Sequence, residues 1–260
     1  MFDRVKPALY NLLHSILGIK MNSSWVPTVL PTYSEPIVPY SQRMAAIMKG
    51  DGITLLKKWR VTRTRAYKSR ATSRHEYISA TVVNSENKIF YVAIERHRGD
   101  PISIHPSGDT DIKPTPVGLF SNSNSSISSI SFILDSFSTH VADDRIAMIP
   151  SLNGMWDKSD ELIYQLNFDK PLYLYELALL GVIVHEENTS YLLMLNNCYH
   201  FAGTIIKVLE EEYNVVNTAD GACGGKWCGF VIYPGNKEGN SSSLGEKFRE
   251  GVKNFVSILY

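Results

Sequence analysis

Cys198 has the chemistry of a nucleophile and a setting that would activate it. It follows the polar pair Asn196 and Asn197 and opens the run Cys-Tyr-His-Phe-Ala-Gly-Thr-Ile-Ile-Lys-Val-Leu-Glu-Glu-Glu-Tyr, which ends at Tyr213. Phe201, Ala202, Ile205, Ile206, Leu209 and Tyr213 recur at three- and four-residue spacings, which predicts an amphipathic helix. Lys207, Glu210, Glu211 and Glu212 take its other face. At the start of such a helix, unpaired backbone N–H groups and the helix dipole favour a thiolate, the nucleophilic form of cysteine. The competing reading of Cys198 is a small buried hydrophobe.

A nucleophilic thiol needs a base to take its proton and a third group to orient that base. His200 lies two positions along the predicted helix, about 200° around its axis, and so points away. The base must come from His14, His75, His97, His105, His140 or His185. Residues 88–97 form the strongest strand pattern in the chain, Arg98-Gly99-Asp100-Pro101 is turn chemistry, and residues 102–105 return as a partner strand. If that hairpin pivots near Gly99, His105 lies across from about Ala93, toward the middle of a sheet, while His97 stays by the turn. His105 is therefore the expected base.

The remaining reactive residues read more simply. Cys223 and Cys228 have tolerable zinc spacing, but no second Cys/His pair completes four ligands. The intervening glycines and Lys226 lack the spacing of a phosphate loop. No metal or cofactor is expected. Asp143-Asp144-Arg145 reads as a turn before a strand. Residues 59–74 hold Lys68 and five arginines and read as a solvated strand face or loop.

Around these residues the chain reads as strands with helices segregated about them. Strands are expected at 77–84, 88–97, 102–105, 129–134, 161–168 and 230–233, with a short one at 191–195 leading into the Cys198 helix. Helices are expected at 1–19, 43–58, the second half of 171–186 and 244–259. Residues 22–42, with four prolines, read as an extended linker. The fold class is thus α+β on an antiparallel sheet. The division expected is an N-terminal helical arm and linker over 1–60, one domain over 61–235, and a linker and helix over 236–260.

The 260 residues are 44% hydrophobic and 20% charged, which suits a globular protein. Twenty-six basic residues balance 26 acidic ones, so no global field points to nucleic acid or an acidic membrane. Three cysteines give no disulfide framework, and a reducing, cytoplasmic setting is expected. The stripe Phe2, Val5, Leu9, Leu12, Leu13, Ile16 and Leu17 is expected to dock on protein, or to touch a membrane surface peripherally.

Taken together, these pieces resemble the circularly permuted papain-like cysteine enzymes, and most nearly the lecithin:retinol acyltransferase-like group, relatives of the NlpC-type peptidases. That pattern has a strand of type H-W-A-I-Y, a second histidine about a dozen residues on, and Y-x-L-x-x-N-N-C-E-H-F opening a helix. Tyr191-Leu-Leu-Met-Leu-Asn-Asn-Cys-Tyr-His-Phe201 is similar to the last element, Tyr91-Val-Ala-Ile-Glu95 to the strand, and Ile104-His105-Pro106 to the second histidine. The likeness covers residues 77–212. The chain is also similar to uncharacterised fungal proteins with an Asn-Cys-Tyr motif.

The resemblance implies acyl, amide or ester chemistry through an acyl–Cys198 intermediate on a small-molecule, lipid or peptide substrate, with Asn197 beside the nucleophile. The family's first histidine falls at Tyr91, and a phenol ionising near ~10 is a poor base at neutral pH. His97, an alternative base, stands about 20 Å along a strand from Tyr91. What remains is His105 as base, or a catalytically silent fold used as a binding or interaction module.

Overall fold

A computed structural model describes residues 29–31, 34–48, 52–70, 75–101, 140–151, 153–191, 197–219, 226–227, 230–231 and 240–257. The expected helix 1–19, the strands 102–105 and 129–134, His105, Cys223 and Cys228 lie outside them.

Among the described residues the sheet has seven strands: β1 (Glu35–Pro36), β2 (Arg60–Lys68), β3 (Glu76–Val83), β4 (Ile89–Pro101), β5 (His140–Met148), β6 (Glu161–Tyr173) and β7 (Ser190–Tyr191). Its order is β1-β5-β4-β3-β2-β6, with β7 also on β5, and every pairing is antiparallel. The helices are α1 (Ile37–Met48), α2 (Gly52–Leu56), α3 (Leu174–Glu187), α4 (Cys198–Tyr213) and α5 (Asn240–Ser257). A separate pair, β8 (Lys226–Trp227) and β9 (Phe230–Val231), forms its own ribbon. The α+β class and the antiparallel sheet stand as expected. Among the described residues no helix is long and apolar enough to cross a membrane.

Alternation explains the layers. Val92 and Ile94 of β4 and Ile78, Ala80 and Val82 of β3 point to one face, where they share a core with Met44 of α1, Leu177 and Leu180 of α3, and Phe201, Ile205 and Leu209 of α4. Fully burying each large apolar side chain stabilises the fold by about 1.5–3 kcal/mol, so this face holds the helices in place. Tyr77 and Ala93 point the other way and pack with Tyr67 and Ile149 in a smaller cluster.

Three local expectations are corrected. Helix α1 begins at Ile37, inside the expected linker, because Pro39 sits in the first helical turn, where its missing N–H has no intrahelical partner to lose. Arg98–Pro101 do not form a hairpin turn: β4 runs through them, and the register against β5 shifts between Arg98 and Pro101, an irregularity that accommodates glycine and proline. Asp143-Asp144-Arg145 is no turn either. It lies within β5, where Asp144 faces the core and pairs with Arg96 of β4.

Candidate active site

Helix α4 begins where the sequence predicted, with Cys198 in its first turn. Asn197 is the N-cap: its side-chain oxygen accepts from the His200 backbone N–H at 3.0 Å. Both residues are buried. The helix start is fastened to the sheet from β2 and β3, where buried Lys68 pairs with Glu76 at 3.2 Å and lies over the Tyr199 ring at 4.7 Å. Further along, the Arg96 guanidinium stacks over Phe201 at 4.8 Å.

The imidazole at the thiol belongs to His75, just before β3. Its side chain hydrogen-bonds Cys198 and also Glu95, the latter from Nε2 at 3.1 Å. The other Glu95 oxygen meets His97 Nε2 at 3.1 Å, and the two imidazoles stack at 4.9 Å. The pairing of β3 with β4 puts Tyr77 opposite Glu95, so His75 falls opposite His97 and diagonal to Glu95.

The electrostatics follow from these contacts. Burial pushes His75 down, but its bonds to Cys198 and Glu95 outweigh that and lift it to about 10. Burial likewise pushes Glu95 up, but the two histidines outweigh it and hold the carboxyl down at about 2. Tyr191 is raised by burial and then by the charge of Cys198, to which its phenol is hydrogen-bonded. It stays a protonated donor. His200 is driven down to about 4 by burial and by Arg96, so it is held neutral.

By composition His75, Glu95 and His97 could hold a metal ion, since their ligand atoms all lie within 4.8 Å of one another. The two imidazole planes, however, are only 21° from parallel and stacked. In-plane lone pairs of stacked rings do not converge on one point, so the set suits a carboxylate bridging two imidazoles better than a shared cation.

The thiol, His75, His97 and Tyr191 line a cavity of about 380 Å³ together with Arg96 and Asp160. Tyr91 is not among its walls. It is half-buried against Met155 and Gly154, beside the smaller cluster. Gly154 has φ +71°, and a Cβ there would lie 2.6 Å from Tyr91 Cδ1, so the tight approach requires glycine. Of the residues singled out from the sequence, Cys198 and His97, the alternative base, line the cavity, and Asn197 caps the helix beside the thiol. Tyr91 stands outside, and His105 lies beyond the described residues.

Sequence reasoning held His75 only as one of six candidate bases and passed over Glu95, Arg96 and Asp160. A signal for the first two existed: His75 and His97 are equidistant from the Asn84–Lys88 turn, where the Asn84 N–H donates to the Lys88 carbonyl. That turn fixes the register which brings the two histidines together. Comparison with protein-family models, with curated proteins and with solved structures finds no match to this chain.

Proposed function

We propose that this chain is a cysteine-dependent hydrolase or acyltransferase of permuted papain-like type, with Cys198 as nucleophile, His75 as general acid and base, and Glu95 orienting His75. The observation that carries the reading is the chain of contacts from a thiol in the first turn of α4, through His75, to a buried carboxylate. Nucleophile, base and orienter are the three parts that thiol acyl chemistry requires.

In this reading the resting pair is thiolate and imidazolium. The Cys198 sulfur attacks a carbonyl carbon, forming a C–S bond and a tetrahedral oxyanion. The Tyr191 hydroxyl and the Cys198 backbone N–H at the helix start supply donors to that oxyanion. Collapse breaks the bond to the leaving amine or alcohol, which takes its proton from His75. Acylation removes the thiolate, the strongest influence lifting His75, so the now neutral imidazole can serve as a base. It takes a proton from water or an acceptor alcohol, the new C–O bond forms, the C–S bond breaks, and the thiolate returns.

The test is to treat the chain with p-nitrophenyl acetate and locate the acetyl group by peptide mass spectrometry. The acetyl should reside on Cys198, and His75→Ala should slow its formation by about 100-fold or more. If Cys198 stays unmodified while Cys223 or Cys228 is acetylated, the fold is a binding module instead.

A further inference from the structure

The rings beside the thiol form a ladder. Tyr67 of β2 pairs with Tyr77 of β3, and their rings stack at 5.6 Å between centroids, 28° from parallel. His75, two residues before Tyr77, stacks on it at 6.5 Å and 19°, and His97 follows on His75. Tyr77, His75 and His97 all line the cavity that holds Cys198, and so does Trp156 from the loop between β5 and β6. Trp156 is 43% exposed, the most exposed aromatic residue among the described side chains. A single exposed hydrophobic residue is ordinary on a protein surface. An exposed indole on the wall of a cavity that holds a nucleophile is placed to meet a ligand.

We infer that this wall binds an aromatic ring, with Trp156 as its specificity residue, so that the substrates of Cys198 carry a phenyl-sized ring close to the bond that is broken. Direct contacts join the two ends of the site: Trp156 to Tyr77, Tyr77 to His75, and His75 to Cys198. The Trp156 backbone N–H donates to the Tyr77 hydroxyl at 3.0 Å, and that hydroxyl donates to Asp160 Oδ2 at 2.7 Å. The same oxygen accepts from the Asp157 N–H at 3.1 Å, which closes the loop around Trp156. These bonds use the backbone of Trp156, so its ring is not needed to anchor the loop. A volume of about 380 Å³ admits a ring and the group that carries it. A flat ring gains from offset or edge-on contact with indole and with the ladder, a gain that a saturated ring of the same size lacks. As a substrate class this rests on the proposed acyl chemistry, but as a ring site beside Cys198 it does not.

Alkylation reads the site without acyl transfer: the Cys198 thiolate displaces iodide, the C–S bond forming as the C–I bond breaks. The full-length chain is treated at pH 7 with iodoacetamide and with its N-benzyl, N-(2-phenylethyl), N-cyclohexylmethyl and N-(2-cyclohexylethyl) derivatives. Rates at Cys198, divided by those at Cys223, cancel the intrinsic reactivity of each reagent. At least one phenyl reagent should exceed iodoacetamide by about tenfold or more, the tenfold being worth about 1.4 kcal/mol. It should exceed its own cyclohexyl counterpart by about threefold or more. Trp156→Ala should erase most of this advantage, and Trp156→Phe should keep most of it. Should the alanine variant not fold, Trp156→Leu takes its place. A phenyl reagent no faster than its cyclohexyl counterpart, an advantage that survives loss of the Trp156 ring, or no labelling of Cys198 by any reagent overturns the inference. Aromatic selectivity at a Cys198 that p-nitrophenyl acetate fails to acetylate would sink the acyl reading and leave the ring site standing. Acetylation without aromatic selectivity would do the reverse.

Discussion

Removing the Asp144 carboxylate should be among the most damaging single changes in the sheet. Arg96 and Asp144 side chains are both 0% exposed and meet through two short contacts, at 2.7 and 2.6 Å. His185 adds a third, from Nδ1 to Oδ2 at 2.8 Å. In Asp144→Ala the guanidinium stays in the core without a counter-charge, and breaking one side of a buried pair costs about 3–5 kcal/mol. For a chain of this size each kcal/mol lowers the Tm by roughly 2–4 °C, so the midpoint should drop by about 6–20 °C. The double variant Arg96→Met with Asp144→Leu removes both charges at similar volume and should recover most of that loss, because desolvation no longer opposes folding. Urea titrations of the three proteins, compared at equal slope, supply the measurement. A loss below about 1 kcal/mol in Asp144→Ala, or a double variant no more stable than the single, would refute the reasoning.

Asn197→Ala should cost about 1 kcal/mol by uncapping α4, and it should also lower the reactivity of Cys198, as a paired denaturation and alkylation experiment would show. The stability profile against pH has two limbs with opposite causes. His75 rises from 6.5 to about 10 on folding, so its contribution is complete below 6.5 and is lost as pH climbs through about 10. Glu95 falls from 4.5 to about 2, so its contribution is complete above 4.5 and is lost as pH drops through about 2. Urea midpoints should fall less steeply for His75→Ala on the alkaline limb and for Glu95→Gln on the acid limb. Parallel profiles for wild type and variants would contradict these assignments.

Where local pattern decides structure, the sequence was a good guide. The change from period two to period three or four at Cys198 located α4 and its first turn, and alternation located β3 and most of β4. Long-range partners were harder to see. Asp143-Asp144-Arg145 has the composition of a turn, and only Arg96 arriving from the neighbouring strand makes a buried strand position tolerable for Asp144. Arg98–Pro101 has the composition of a hairpin, yet pairing with β5 absorbs it as an irregular register. His75 was obscured by the basic run before it, and its role depends on a register set at a turn about ten residues away. The resemblance to a known family directed attention to Tyr91 and His105, whereas the contacts at the thiol come from the strand next to the one that carries Tyr91.

The pairing of Cys198 with His75 is tested most directly by the rate of Cys198 carboxymethylation by iodoacetamide between pH 6 and 9, read by peptide mass spectrometry so that Cys223 and Cys228 serve as internal references. Wild type should react at Cys198 ahead of both references at pH 6–7, with little further gain as pH rises. His75→Ala should lose about tenfold or more at pH 6–7 and regain speed with pH as an ordinary thiol does. His97→Ala, which leaves the His75 contact in place, should change the profile little. If His75→Ala matches wild type across this range, the thiol is not activated by that imidazole, and the central claim fails.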